Sequence, residues 1–309
     1  MNKIFQFAGA LGVLAALALP GCGASGKAIP VAVSNSPDWI YAGGVLYRRP
    51  HYALAQGSSR SVGPLVPYVP YQPGGTVIVA PKFYLVFWDY KKYGDAQHLQ
   101  PLLEAYTKNV GGSAHSNIET QYYEKSHGKQ IYITNASNQY GGSWNDDSPI
   151  ARYPTDAQVA AEALKAVGHF GYDPNGVYVI ATPHNHSEAD FGTVWCSYHS
   201  ETFYNKNLVP YSNLPYMTDA RTGKKCGANI ITPPSDESGK DEGMTIFAGH
   251  EYGETITDPD AFTAWWGVNG EIADACAWVD MANDKFGKKS YTMQSMVSDA
   301  SGSCVQSYP

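Results

Sequence analysis

Several absences narrow the field at once. The sequence contains no G-x-S-x-G and no P-loop, so a serine-hydrolase elbow and a nucleoside-triphosphate cradle are both excluded. No C-x-x-C pair occurs among its 5 cysteines, and an oxidising compartment disfavours a four-thiolate zinc site in any case. Charge is scarce, at 16% of residues, and leans acidic, with 21 basic against 28 acidic side chains for a net −7. A nucleic-acid partner needs a basic face to meet phosphates, so that class drops out. There is no internal repeat. What the chain does have is 43% hydrophobic residues over 309 positions, with 23 Tyr, 31 Gly and 20 Pro. That is too apolar for a disordered chain, and it suits one large, loop-rich, aromatic-packed extracellular domain with or without appendages.

The first residues set the compartment. Met1 to Gly21 reads as an export signal, with Lys3 its one charge and an apolar run from Phe5 to Leu19 broken by Gln6, Gly9 and Gly12. At about 15 residues the run falls short of the roughly 20 needed to cross a membrane. It ends Leu19-Pro20-Gly21-Cys22, which resembles a bacterial lipobox, where the Cys thiol is acylated and becomes the new N-terminus. Cys22 is therefore the expected lipid attachment, holding the protein at the membrane of the cell envelope; without it the protein is extracellular. Residues 22–75 are rich in Pro, Gly, Ser and Tyr without a period of 2 or 3.6, and are expected to form a tether. Their Pro64–Pro73 stretch reads as extended and polyproline-like.

Setting Cys22 aside leaves Cys196, Cys226, Cys276 and Cys304, an even number in an exported chain. Three pairings are open in principle. Cys196–Cys226 with Cys276–Cys304 closes two loops of similar size and is the expected one.

The folded domain is expected over residues 76–309. Val77 to Trp88 is β-branched and aromatic and predicts a buried strand. Asp95 can cap a helix running to Lys108, with Leu99, Leu102, Leu103 and Tyr106 on one face, stopped by Gly111-Gly112. Gln130 to Asn135 predicts a second strand. Thr155 or Asp156 caps an alanine-rich helix to Val167, and Asn175-Gly176 turns into a third strand, Val177 to Ala181. This alternation predicts an α/β fold with crossover helices, followed by long aromatic loops stapled by disulfides.

The next helix carries the chemistry. Residues 241–259 have Ser238 or Asp241 as candidate caps, Glu242 in the positive first turn and Pro259 as the stop. Inside lies His250-Glu251-x-x-Glu254. Residues four apart share one helix face, so His250 and Glu254 can reach one metal ion. Glu251 stands one step around, where a general base for a metal-bound water would sit. With 9 His and 11 Glu in 309 residues, chance supplies about 0.01 such spacings. The bland alternative is a buried His with two solvated Glu, but Gly249 and Gly253 are poor helix formers and leave room for something to approach. A third ligand must come from elsewhere. Glu271 and Asp274 are three apart and point the same way in a helical turn, so one could ligate and the other orient His250, with Asp258 competing for either role. An all-oxygen calcium site from Glu254, Asp258, Asp260, Glu271 and Asp274 is conceivable; His250 favours zinc.

These residues fall in a larger pattern. Gly249-His-Glu-Tyr-Gly-Glu-Thr-Ile-Thr-Asp-Pro259 resembles the S-H-E-x-A-E-x-x-(T/S)-(D/N)-P block of the phosphate-induced protein 1 or EXORDIUM-like family, which has bacterial and fungal members. Gly270-Glu-Ile-Ala-Asp-Ala-Cys276 is similar to its G-E-I-G-D-x-C block, and Tyr291 to Ala300 with Cys304 to its Y-x-V-Q-x-x-W-S-N-A end. Cys196-Ser-Tyr-His199, Leu214-Pro-Tyr216 and Cys226 follow the family's C-G-x-H, P-Y, C order. The pattern covers about residues 76–309, with Gly253, Ser197 and Val297 standing where Ala, Gly and Trp are usual. The resemblance supports the neighbour pairing of cysteines and implies secretion. It also implies a zincin-like mixed sheet in which His250, Glu254 and an acidic residue of the Glu271 block hold a metal.

Other candidates weigh less. His199 beside Cys196 is expected to be a local hydrogen-bonding residue, with a supporting place at the site as the alternative. His184 and His186 form an H-x-H pair in a polar loop, where solvation is the commoner fate. Tyr122-Tyr123 and Trp265-Trp266 could stack on sugars, but core packing is the expectation at this aromatic density. The leading expectation is an exported zinc-dependent hydrolase, a peptidase acting on a peptide or cell-wall substrate. The alternative is a non-enzymatic cell-surface protein with a structural or vestigial metal site.

Overall fold

Where the chain is most apolar it builds the middle of a sheet. The structure, a computed structural model, describes residues 39–57, 67–220, 223–234 and 239–309; the expected export signal, Cys22 and Ser238 lie outside them. Strands are β1 (Trp39–Ala42), β2 (Val45–Arg48), β3 (His51–Leu54), β4 (Lys82–Trp88), β5 (Tyr123–Ser126), β6 (Lys129–Tyr132), β7 (Tyr140–Asp146), β8 (Gly176–Ala181), β9 (Trp195–Tyr204), β10 (Asn207–Leu214), β11 (Ala282–Phe286), β12 (Lys289–Met293), β13 (Met296–Ser298) and β14 (Ser303–Val305). Helices are α1 (Tyr90–Tyr93), α2 (Leu99–Val110), α3 (Asp156–Phe170) and α4 (Glu242–Thr257).

Among the described residues, eight strands form one mixed sheet in the order β1-β2-β9-β10-β8-β4-β7, with β3 also on β9. Its β10-β8-β4-β7 half is parallel and its other half antiparallel. Parallel strands covered on both faces are apolar throughout, and Leu85, Val86, Phe87 and Val177 to Ala181 are wholly buried. Residues alternate across a strand, so β3 sends His51 to the face of α4 and Tyr52 to the face of α3, where its hydroxyl reaches Asp156 at 3.3 Å. The helices thus cover opposite faces, giving a mixed α/β architecture of three layers. Both disulfides pair as expected, Cys196–Cys226 and Cys276–Cys304, with Cα–Cα distances of 5.6 Å.

Several expectations need correction. The folded unit begins well before residue 76: β1, β2 and β3 lie inside the segment expected to be a tether. Gly43 and Gly44, both at positive φ, close a two-residue hairpin between β1 and β2, and only residues 22–38 and 58–66 of that segment lie outside the description. Val77 to Ala80 run ahead of β4 instead of within it, and the Ile78 N–H donates to the Ile256 carbonyl at the end of α4. The strand expected at 130–135 is β6, in an exposed two-stranded ribbon with β5; β7 takes its place on the sheet. The expected aromatic loops after β8 are largely β9 and β10. These read as loops because Ser197, His199, Ser200, Glu201 and Thr202 interrupt any apolar pattern, yet all are buried with polar partners.

Local sequence rules explain the rest. Helix α2 begins later than expected, with His98 as its N-cap residue, and Asp95 serves it from outside by accepting from the Leu99 and Gln100 N–H groups at 2.8 and 2.9 Å. Thr155 and Gln158 form a reciprocal capping box at α3. At α4, Asp241 is the N-cap residue but makes no side-chain cap bond; the carboxylate of Glu242 instead accepts from the Ile230 N–H at 2.7 Å. No helix among the described residues is long and apolar enough to cross a membrane.

Candidate metal centre

Helix α4 is buried along its whole length, so its polar residues must find partners in the interior. His250 and Glu254 meet as the spacing predicts, with Nε2 3.1 Å from Oε2. The Asp274 carboxylate stands 3.7 Å from the same Nε2. Its backbone N–H donates to Glu254 Oε1 at 2.8 Å, which fixes the loop after α4 to the helix.

The sheet supplies two more imidazoles. His51 and His199 are paired directly across β3 and β9, their rings edge to face at 5.4 Å. Glu271 contacts both, meeting His51 Nδ1 and standing 3.4 Å from His199 Nε2. On its other side His199 Nδ1 lies 3.2 Å from Glu251 and 3.6 Å from Glu254, while His51 Nε2 is 3.4 Å from Asp274. Glu251 also accepts from the Ser197 hydroxyl. Three histidines and four carboxylates therefore converge from β3, β9, α4 and one loop. The donors form two groups, each with its ligand atoms within 4.8 Å of one another: His51, His199, Glu254 and Glu271, and His250, Glu254 and Asp274.

The charges are sealed from water. Glu251 and Glu271 are 0% exposed, and His199, His250 and Glu254 are 1% exposed. Burial works against the charged imidazole of His250, but the Glu254 carboxylate outweighs it and pushes that ring up to about 10. His199 and His51 are raised in the same way, against burial, chiefly by Glu271. Burial raises Glu254 despite the countering charge of His250. Burial would raise Glu271 too, but His199 and His51 prevail and hold it well below the usual carboxylate range.

Neighbouring residues shape this arrangement. Asp258 accepts from the backbone N–H groups of Phe262, Thr263 and Ala264 at 2.7 to 3.1 Å, and burial with the adjacent Glu271 drives its carboxyl well up. It therefore ties the loop together behind Glu271. Asp260 turns away to Arg48 at 2.6 Å, which removes it from an all-oxygen cation group. Gly249 and Gly253 do not make room for a ligand: a Cβ there would lie 2.3 Å from Met293 Cε or 2.6 Å from Met296 Sδ, so the close approach is by core methionines. His184 and His186 do not converge, since His184 pairs with Asp219 at 2.5 Å and the His186 ring lies on Tyr93 at 3.8 Å. Trp265 packs edge-on to Tyr122 and Tyr123, as expected of a core.

Sequence reasoning missed His51, because it fell in the segment assigned to the tether, and gave His199 only a supporting place. The signal for His51 was slight: Tyr47 to Leu54 carries apolar residues on both sides of Pro50, in runs too short for a period.

Comparison with known proteins adds a distant relationship. The chain is 28% identical to Protein EXORDIUM-like 5 of Arabidopsis thaliana over a match covering 40% of this chain and 38% of that protein, so it spans well under half of the relative's length. No protein-family profile matches the chain, and no solved structure does. The two disulfides and this relative are consistent with an exported or extracellular protein.

Proposed function

We propose that this is an exported cell-surface protein built around a zinc centre that locks strands β3 and β9 and the loop carrying Glu271 and Asp274 onto α4, with a structural role for the metal. The observation that supports the reading is the convergence of His51, His199, Glu254 and Glu271, four buried donors within 4.8 Å of one another. Closed four-donor sites are the structural kind; catalytic sites keep a position open to substrate. The donor set fits zinc: imidazole and carboxylate suit it, whereas calcium takes oxygen alone. His199 Nε2 and His250 Nε2 are buried and face carboxylate oxygens without the alignment of a hydrogen bond, which is how lone pairs aimed at a shared cation stand. A zincin-like helix over a mixed sheet, and a lipid anchor at Cys22 joined by a shorter tether than expected, belong to the same proposal. Metal analysis of the purified full chain, with thermal unfolding before and after a strong chelator, tests it. Bound zinc and a lowered melting temperature are expected; no zinc and no response to chelator refute it.

A second reading, a zinc-dependent peptidase acting on a peptide or cell-wall substrate, is favoured by one observation, the His250-Glu251-x-x-Glu254 spacing on a single helix. The metal would supply a water of lowered pKa and a polarised carbonyl. Glu251 would take the proton, and Ser197 and His199 would orient its carboxylate. Glu251→Gln then keeps metal and fold while losing hydrolysis by about 10²–10⁴-fold. Hydrolysis by Glu251→Gln at the rate of the unaltered protein would exclude this role for Glu251.

A further inference from the structure

We propose that the cluster takes two metal ions, with Glu254 as the carboxylate shared between them. The inference rests on the metal-centre reading above and goes beyond the single site that the His250 helix suggests.

The geometry separates the donors into two sets. His250 and Asp274 form one group with Glu254, while His51, His199 and Glu271 form the other, and Glu254 belongs to both. Glu254 Oε1 accepts from the Asp274 N–H, while Oε2 faces both groups, 3.1 Å from His250 Nε2 and 3.6 Å from His199 Nδ1, as an oxygen placed between two cations about 3.5–4 Å apart would. A tetrahedron with arms of about 2.0–2.1 Å has edges of about 3.4 Å. Three donor spacings lie near that edge, 3.1 Å for His250 to Glu254 and 3.7 Å for His250 to Asp274 in one group and 3.4 Å for His199 to Glu271 in the other, while His51 Nδ1 and Glu271 stand closer than it.

The two positions differ in kind. His51, His199, Glu271 and Glu254 supply four protein donors and close a tetrahedron. His250, Asp274 and Glu254 supply three and leave one place for water or a further ligand. The first is the structural position and the second the exchangeable one.

The experiment loads the full chain with Zn²⁺, strips loosely held ion by gel filtration and counts zinc per chain. Two are expected, falling to one in both His51→Ala and His250→Ala, with Glu254→Ala weakening both positions by at least 10-fold. Should a variant fail to fold, a Co²⁺ titration of the unaltered protein gives the same answer: its visible d–d absorption reaches an endpoint at two equivalents. One zinc per chain, or an endpoint at one equivalent, overturns the second position and leaves the metal centre standing. No zinc at all overturns both.

Discussion

Helices α3 and α4 cover opposite faces of one sheet and are stabilised in opposite ways. In α3, local chemistry suffices: a capping box at Thr155, a first-turn Asp156, and a stripe of Ala157, Val159, Ala160, Ala163, Ala166 and Val167 buried against the sheet, with solvent on the other side. In α4 little is local. It has no side-chain cap bond, two mid-helix glycines, and not one of its residues reaches solvent. Such a helix is held by what surrounds it, and its His250, Glu251 and Glu254 are tolerable inside only because β3, β9 and the loop at Glu271 present complementary groups. The difference is between a helix that a propensity scale can predict and one that only its neighbours can justify.

That contrast can be broken. Removing the structural metal, by a strong chelator or by His51→Ala, should lower the melting temperature by roughly 10 °C, equivalent to about 4 kcal/mol of linkage for an ion present far above its dissociation constant; calorimetry on both proteins measures it. A chelator that leaves the melting point untouched would show α4 to be as self-sufficient as α3. Next in size is Gly243→Ala in α4, whose added Cβ would sit 1.9 Å from the Cys226 carbonyl oxygen, a backbone atom with no room to yield. A loss of about 1–3 kcal/mol is expected in urea unfolding.

On the α3 side the effects are smaller. Burial first, and then the hydrogen bond with Asp146, push Glu162 up to about 8, while Asp146 is held down to about 2 by hydrogen bonds from Glu162, Ser148 and Lys165 despite its own burial. A carboxyl whose folded pKa is raised contributes stability below its unfolded value of about 4.5 and loses it as pH rises toward 8. Asp146 acts only below about pH 4, outside that window. Glu162→Gln should therefore flatten a decline of about 1–2 kcal/mol between pH 4.5 and 8, discounted for the partly exposed Lys165 nearby; an unchanged slope in pH-dependent urea melts would refute it. Smallest is Thr155→Ala, which removes one cap and should cost about 1 kcal/mol; chemical denaturation resolves it.

The same contrast explains what the sequence could disclose. The parallel core strands β4 and β8, helices α2 and α3, the cystine pairs and the His250–Glu254 pair were all legible, because each rests on a local period, a cap or a fixed spacing. Strand β2 was hidden since Val45 to Arg48 is buried at every position and so shows no alternation. Strand β7, at the sheet edge, carries Gly141-Gly142 in place of apolar residues. Strands β9 and β10 bury polar side chains that only long-range partners can satisfy. His51 was the costliest omission: its partner His199 stands 148 positions away in the chain, and no local rule links the two.

The direct pairing of His51 with His199 carries a consequence for chain length. Side chains on a strand alternate with a period of two, so a slip by one residue would carry His51 to the other face and bring Pro50 or Tyr52 opposite His199. The cross-strand match therefore works as a phase lock. Between β2 and β3 the protein can change what residues it uses, but it cannot add or drop one without taking an imidazole out of the centre. For this link, Arg49-Pro50, geometry constrains spacing more strictly than identity.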